Sequence, residues 1–281
     1  MNTVRVKAYA KLNLTLDVLG TENGYHLIDS LVVTVDLFDK IIVKKRKDAL
    51  ISVTMHGMDS ESIPPEQNNA QKAGERFAAA FQTTGADITI YKNIPVGAGL
   101  GGSSADAAGV LNALAELYGV TDRQALKTLA DSLGSDTGYL LTGGFARMRG
   151  RGEIVEPLGG SPKLNFLLLC PKSGVSTAEC YRLCDGYLKS EPHTGRALEL
   201  LKAGNSEWAS KLFANDLYGA AKELNPDVEK AMGELKAFSP WCACMTGSGS
   251  CVFALFETRE LCEWAKSRYR GKCRAIVAKS I

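Results

Sequence analysis

Histidine is scarce in this chain. There are three, His26, His56 and His193, which excludes a histidine-rich metal centre. Cysteine is missing from the first 169 residues. The eight cysteines all lie at or after Cys170, and none forms a Cys-x-x-Cys pair. Cys242 and Cys244 share a face if they sit on a strand, but no His stands nearby, so buried free thiols are expected rather than zinc ligands. Net charge is nearly absent, with 33 basic against 31 acidic residues, +2 in all. That gives no general electrostatic reason to bind a nucleic-acid backbone. No stretch approaches the ~18 uninterrupted apolar residues of a membrane span. The start, Met1 to Lys7, has no apolar run after its charges and is not expected to be a secretory signal. A cytoplasmic protein with reduced thiols is the expectation. At 281 residues the chain buries enough surface to fold without disulfides or metals, and about two domains or lobes are expected.

The first third reads mostly as strands. Val4–Tyr9 and, more strictly, Leu12–Val18 alternate apolar with polar residues. Asn23-Gly24 predicts a hairpin turn. Leu31–Val35, Lys40–Lys44, Ile51–Met55 and Ile88–Lys92 read as further strands, and Pro64–Asn68 as a loop opening a helix over Asn69–Phe81. Ala105–Tyr118 carries an apolar stripe at helical spacing and ends at Gly119. A second helix starts at Thr121 with Gln124 in the capping-box position and closes at Gly134. Gly143-Gly144 turns into a strand near Phe145–Met148. Leu164–Leu169, Val252–Phe256 and Arg274–Ala278 are strands. Helices are expected near Ala178–Tyr187, Ala197–Lys202, Glu207–Phe213, Asp227–Lys236 and Glu260–Arg268. The layout is α+β, with a lobe boundary in the Pro- and Gly-containing stretch Glu156–Lys163, dividing the chain into residues 1–158 and 159–281.

What the chain has in excess is glycine: 28 residues, about one in ten against an average of about 7%. Four fall within six positions of the run Pro95-Val96-Gly97-Ala98-Gly99-Leu100-Gly101-Gly102-Ser103-Ser104-Ala105. This run joins a predicted strand to a predicted helix. Glycine permits positive φ and close backbone approach. Amides at a helix start, aided by the helix dipole, favour a phosphate. Ser103 and Ser104 add hydroxyls. A merely flexible loop would cost entropy without return.

The run matches G-x-G-x-x-G at Gly97, Gly99 and Gly102, but Asn93, Ile94 and Pro95 intervene after the strand. The position twenty residues past Gly97 is Leu117, not an acid, so a dinucleotide site does not fit. A Walker A loop fails because Ser103, not Lys, follows Gly102. The protein-kinase loop fails because no His-Arg-Asp or Asp-Phe-Gly follows.

The pattern Pro-x-x-x-Gly-Leu-Gly-x-Ser-Ser resembles the phosphate loop of the GHMP small-molecule kinases. Two other clusters support the resemblance. Met245-Thr246-Gly247-Ser248-Gly249-Ser250 is similar to their C-terminal glycine motif, and Ala10-Lys11-Leu12-Asn13-Leu14 to their N-terminal one. The resemblance covers nearly the whole chain. It implies a two-lobed α+β GHMP kinase fold with a left-handed βαβ crossover in the first lobe. It implies ATP with Mg²⁺, the phosphates held by Pro95 to Ala105 and by Thr246, Gly247, Ser248 and Gly249, and Asn68 and Lys92 near the adenine. It assigns Lys11 to the acceptor oxygen or the developing charge and Asp136 to the proton. No acidic residue stands out as a Mg²⁺ ligand.

Further details, Asn23-Gly24-Tyr25-His26, Gly134-Ser135-Asp136 and Gly150-Arg151-Gly152-Glu153, resemble a branch with a cytidine-diphosphate-linked acceptor on a route to isoprenoid precursors. That branch phosphorylates the acceptor's 2-hydroxyl. The resemblance implies Asn13, Tyr25, His26 and Tyr181 as substrate contacts, the tyrosines stacking on the two faces of the cytosine. Two readings stand beside it: a homoserine- or mevalonate-type acceptor, and a non-catalytic relative that binds a ligand or RNA. The branch commonly has Val-Pro-Phe after the catalytic Asp; this chain has Thr137-Gly138-Tyr139.

Overall fold

The computed structural model describes residues 2–57, 68–187 and 191–281. Of the expected Pro64–Asn68 loop, all but Asn68 lies outside the described residues.

In chain order the elements are β1 (Thr3–Asn13), β2 (Asp17–Glu22), β3 (Tyr25–Lys45), β4 (Ile51–Gly57), α1 (Asn69–Phe81), β5 (Ala86–Lys92), α2 (Gly102–Tyr118) and α3 (Arg123–Leu133). Then come α4 (Ser135–Leu140), β6 (Phe145–Gly150), β7 (Ile154–Pro157), β8 (Asn165–Cys170), α5 (Thr177–Cys184), α6 (Thr194–Lys202), α7 (Ser206–Ser210) and α8 (Tyr218–Leu224). The chain ends with α9 (Pro226–Lys236), β9 (Cys242–Met245), β10 (Val252–Phe256), α10 (Arg259–Arg268) and β11 (Arg274–Lys279).

Two compact units interleave along the chain. One contains the described residues of Met1–Ala10, Leu37–Val96 and Gly101–Gly143; the other contains Lys11–Asp36, Gly97–Leu100 and Gly144–Ile281. This division differs from a single cut at 158/159. The reason lies in β3, one 21-residue strand where two shorter ones were expected. Its Lys40–Lys45 end pairs antiparallel with β5, while its Ile28–Val33 end pairs antiparallel with β6.

In the first unit β4 pairs parallel with β5, and α1 connects them. Asn68 caps α1 by accepting from the amides of Ala70 and Gln71, relieving donors a helix start leaves unpaired. Gly74 lets α1 settle on β4, since a Cβ there would stand 2.8 Å from Ile51 Cγ2. Helix α2 is built of small residues and lies close on the sheet: a Cβ on Gly109 would come 2.6 Å from Ile41 Cδ1 and 3.1 Å from Ala8 Cβ. It ends at Gly119 in the left-handed conformation, as the sequence predicts. The cap of α3 is Asp122, which accepts from the Ala125 amide at 2.9 Å; the Thr121 capping box expected from the sequence does not form.

In the second unit β2 and β3 form the hairpin that Asn23-Gly24 predicts, with Glu22 opposite Tyr25. Leu12–Val18 is not one strand. β1 runs on to Asn13, and Leu14 and Leu16 turn aside because their amides bond the Leu31 and Ala214 carbonyls. A four-stranded antiparallel sheet runs β11-β8-β10-β9. Both faces of its middle strands are buried, which explains why they read as unbroken apolar runs. Leu167, Leu169, Val252 and Ala254 pack with Val228, Ala231 and Leu235 of α9 in one core. Phe166 and Phe253 meet on the other face, edge to face, with centroids 5.6 Å apart. All eight cysteines are free. No described helix is long and apolar enough to cross a membrane.

Phe253 is fully buried against Phe166. Phe253→Ala is expected to destabilise the protein by about 3–5 kcal/mol, read from urea denaturation midpoints. A loss below about 1 kcal/mol would contradict this packing.

Candidate functional site

Two glycine loops of the second unit meet backbone to backbone. The Cys251 amide donates to the Ala98 carbonyl at 3.1 Å, and the Lys11 amide to the Leu100 carbonyl at 3.0 Å. A Cβ on Gly99 would lie 2.3 Å from the Thr246 carbonyl oxygen, and one on Gly247 would lie 2.9 Å from the Gly99 carbonyl oxygen. Gly97, Gly99, Gly247 and Gly249 all have positive φ. Gly99 and Gly247 are therefore required by contact as well as by conformation. Asn215, which the sequence did not single out, holds the second loop from beneath, its Nδ2 donating to the Met245 and Gly247 carbonyls at 2.9 and 2.8 Å. Ser248 Oγ bonds Thr177 Oγ1 at 2.8 Å.

Lys11 and Asn13 join the same surroundings. Lys11 Nζ donates to Asn13 Oδ1 at 2.5 Å, and the Asn13 amide donates to Thr246 Oγ1 at 2.9 Å. Asn13 Nδ2 donates to Ser30 Oγ at 2.8 Å, and Ser30 Oγ to the Thr15 carbonyl. Thr15 Oγ1 meets Thr194 Oγ1 at 2.7 Å. Lys11 and Asn13 are each 4% exposed. Lys11 thus shares in a chain of buried hydrogen bonds that runs through Asn13, Ser30, Thr15 and Thr194.

The first unit holds the flanks of the Pro95–Ala105 run. No side chain caps α2, whose Ncap Gly101 is left-handed, so the helix start offers its dipole to whatever lies before it. Behind that start is a buried cluster: Lys92 Nζ donates to Asp39 Oδ2 and, at 2.6 Å, to Asp106 Oδ2. Burial works to lower the Lys92 ammonium, but Asp106 and Asp39 outweigh it and hold it above its ordinary value. Burial pushes the Asp106 carboxyl up to about 7; Lys92 opposes this and Asp39 adds to it. Among the described residues Asp106 Oδ1 has no hydrogen-bond partner. Asp136 sits in the first turn of α4, a short helix the sequence did not predict because Thr137 and Gly138 are poor helix formers. A Cβ on Gly138 would press to 2.1 Å from Asp131 Oδ1, so α4 and α3 approach closely there. Asn68 is committed to its cap.

Tyr25 and Tyr181 each have a neighbour against the ring. His26 and Tyr181 lie ring against ring, with centroids 5.0 Å apart, and His26 Nε2 bonds Asp185 Oδ1 at 2.8 Å. Tyr25 is 56% exposed, and the Arg151 guanidinium lies over its ring at 4.6 Å. Sequence reasoning missed Asp39, Ser30, Asp185 and Asn215. Asp39 left a local signal, an acid set among the apolar residues Leu37, Phe38, Ile41 and Ile42. Among the described residues no group of three or more His, Cys, Asp or Glu is arranged to hold a metal ion. The Ser103 and Ser104 hydroxyls and the free amides at the α2 start suit phosphate oxygens.

The chain matches two family models, the GHMP kinases N terminal domain over residues 68–146 and the GHMP kinases C terminal over residues 197–271. It is 36% identical over 262 residues to the 4-diphosphocytidyl-2-C-methyl-D-erythritol kinase of Caldicellulosiruptor saccharolyticus, covering 90% of this chain and 88% of that one. A crystal structure of 4-(cytidine 5'-diphospho)-2C-methyl-D-erythritol kinase superposes with a TM-score of 0.82 at 32% identity over 98% of both chains. The homoserine kinase of Cytophaga hutchinsonii superposes with a TM-score of 0.76 at 19% identity, over 100% of this chain and 95% of that one; that likeness is one of fold.

Gly99→Ala is expected to cost clearly more stability than Gly119→Ala. Both have positive φ, but nothing lies within 4 Å of a Cβ on Gly119; the latter carries only the left-handed strain of about 1–2 kcal/mol. Equal losses in urea denaturation would contradict the loop contact. A second expectation concerns pH. With Asp106 raised from 3.8 to about 7, the unfolded chain releases this proton before the folded one does. This group therefore withdraws stability as pH rises from about 4 to about 7. Asp106→Asn should gain in Tm relative to the parent across that window; a constant difference would contradict the assignment.

Proposed function

This chain belongs to the GHMP kinase family, and on that premise we propose that it uses ATP to phosphorylate the 2-hydroxyl of 4-diphosphocytidyl-2-C-methyl-D-erythritol in isoprenoid precursor synthesis. The observation that carries the phosphoryl-donor half is the mutual contact of the two glycine loops, where Gly99 and Gly247 leave no room for a side chain. The acceptor half is supported by the relative at 36% identity over 90% of the chain and by Tyr25-His26. The N- and C-terminal family models fall on either side of position 158/159, and we keep 1–158 and 159–281 as the two functional lobes.

Phosphoryl transfer asks a protein mainly for positioning and charge neutralisation. Pro95 to Ala105, with the α2 start and the Ser103 and Ser104 hydroxyls, holds the ATP phosphates, and Thr246 to Gly249 borders them. Asn68 and the backbone at Lys92 are assigned to the adenine end. Ser103 or Ser104 would offer a hydroxyl to Mg²⁺ carried by ATP, and the ion would supply neutralisation of phosphate charge. Lys11, oriented by Asn13, steadies the acceptor oxygen as its charge develops. Asp136 accepts the hydroxyl proton. Tyr25 offers the cytosine the ring face opposite Arg151, and Tyr181 offers the other wall beside His26. With Nε2 held by Asp185, His26 addresses the base rim through Nδ1 or its backbone. The free thiols fit a cytoplasmic setting.

ADP release measured in parallel with the cytidyl substrate, homoserine and mevalonate tests the proposal. Turnover with the cytidyl substrate is expected. Turnover confined to homoserine or mevalonate contradicts the acceptor, and none with any contradicts the kinase reading. Asp136→Asn is expected to lower kcat by at least ~10²-fold with ATP binding nearly unchanged; an unaltered kcat removes Asp136 from the proton transfer.

A further inference from the structure

One buried cluster in the first unit is not used by the chemistry above. Asp39 near the middle of β3 is 0% exposed. Its Oδ1 accepts from the amides of Asn93 and, at 2.8 Å, of Ile94. These are the two residues that follow β5 and lead into the glycine run. Its Oδ2 accepts from Lys92 Nζ, and the same ammonium reaches Asp106 Oδ2 at 2.6 Å in the second turn of α2. The Asp39, Lys92 and Asp106 side chains are 0, 2 and 3% exposed. A Cβ on Gly102, the first residue of α2, would lie 3.1 Å from Ile94 Cγ2 and 3.7 Å from Lys92 Nζ. The strand end that enters the run and the helix that leaves it are therefore tied to one buried cation.

We propose that Asp39 is the positioning residue of the phosphate loop, and that the Lys92 side chain acts through Asp39 and Asp106 instead of touching the nucleotide base. The inference rests on the ATP-kinase reading. A buried ion cluster is weak evidence for stability, since apolar side chains of the same size often serve as well. What the cluster supplies is direction. Four glycines in a row of six leave the run with little conformational preference of its own, and an error of about 1 Å in placing a phosphate can cost ~10²-fold in rate. Asp39 fixes the last two amides before Pro95, and Lys92 fixes the helix whose start receives the phosphates. The Lys92 ammonium has two carboxylates as partners.

Asp39→Asn preserves size but turns an amide or a neutral oxygen toward Lys92. Lys92→Met removes the cation. The full chain is titrated with ATP and, separately, with GTP by calorimetry, and assayed for KM and kcat with the cytidyl substrate. Each variant is expected to weaken ATP and GTP by the same factor, ~10-fold or more. KM for the acceptor should stay within ~2-fold. The double variant should be no worse than the poorer single one, because both act through one network. If Asp39→Asn does not fold, Lys92→Met yields the same readings. A Lys92→Met change that alters the preference for ATP over GTP shows a base contact and overturns the proposal. So does a lowered Tm with Kd for ATP unchanged. A parent protein that binds ATP yet phosphorylates no acceptor contradicts the kinase reading alone, and the Kd comparison still judges the loop.

Discussion

The contact between Gly97–Leu100 and Thr246–Gly249 is the constraint on which the candidate site depends. Two backbones pass so close that a single Cβ at Gly99 would overlap the Thr246 carbonyl. Neither loop has side chains at its tightest points, so what holds them is the bond from Cys251 to Ala98, the bond from Lys11 to Leu100 and the Asn215 amide beneath. Cys251 stands just before β10, Lys11 lies in β1 and Met245 ends β9. Glycine lets the backbones approach, and the rigid elements around them make the approach permanent.

The buried polar groups described in the two units are of two kinds. Neutral hydroxyls and amides orient Lys11 through Asn13, Ser30, Thr15 and Thr194. Charged groups, Asp39, Lys92 and Asp106, frame the strand end and helix start that flank the glycine run. The two kinds suit different tasks. A hydrogen bond to a neutral amide oxygen gives the Lys11 ammonium a direction. A loop under glycine's conformational freedom needs directional anchors, which buried carboxylates supply at a desolvation cost.

Much of this was legible in the sequence, and the reasons are physical. Period-two patterns gave β1 and the hairpin at Asn23-Gly24 because one strand face is buried and the turn needs positive φ, seen at both residues. The glycine run and the Thr246–Gly249 loop stood out because their spacing between a strand and a helix has few other uses. The extent of β3 was not legible: Asp36 and Asp39 read as a break, but one accepts from the Lys279 amide and Arg259 and the other from the loop amides. Helix α4 was missed because Thr137 and Gly138 disfavour it locally and its packing on α3 decides. The surroundings of Tyr25 and Tyr181 were missed because Arg151 and Asp185 come from distant parts of the chain. No local pattern encodes such contacts. Lys92 was assigned to the nucleotide from its place in the motif, and only the fold reveals two buried carboxylates around it.

The central claim is that a phosphoryl group moves from ATP to one hydroxyl of a cytidyl acceptor. Phosphorus NMR of the purified protein with ATP, Mg²⁺ and 4-diphosphocytidyl-2-C-methyl-D-erythritol tests it most directly. The account predicts a new phosphomonoester signal that grows as the ATP γ-phosphate signal falls, with carbon–phosphorus coupling at C2 of the methylerythritol. Inorganic phosphate as the sole product, or coupling at a different carbon, would contradict it.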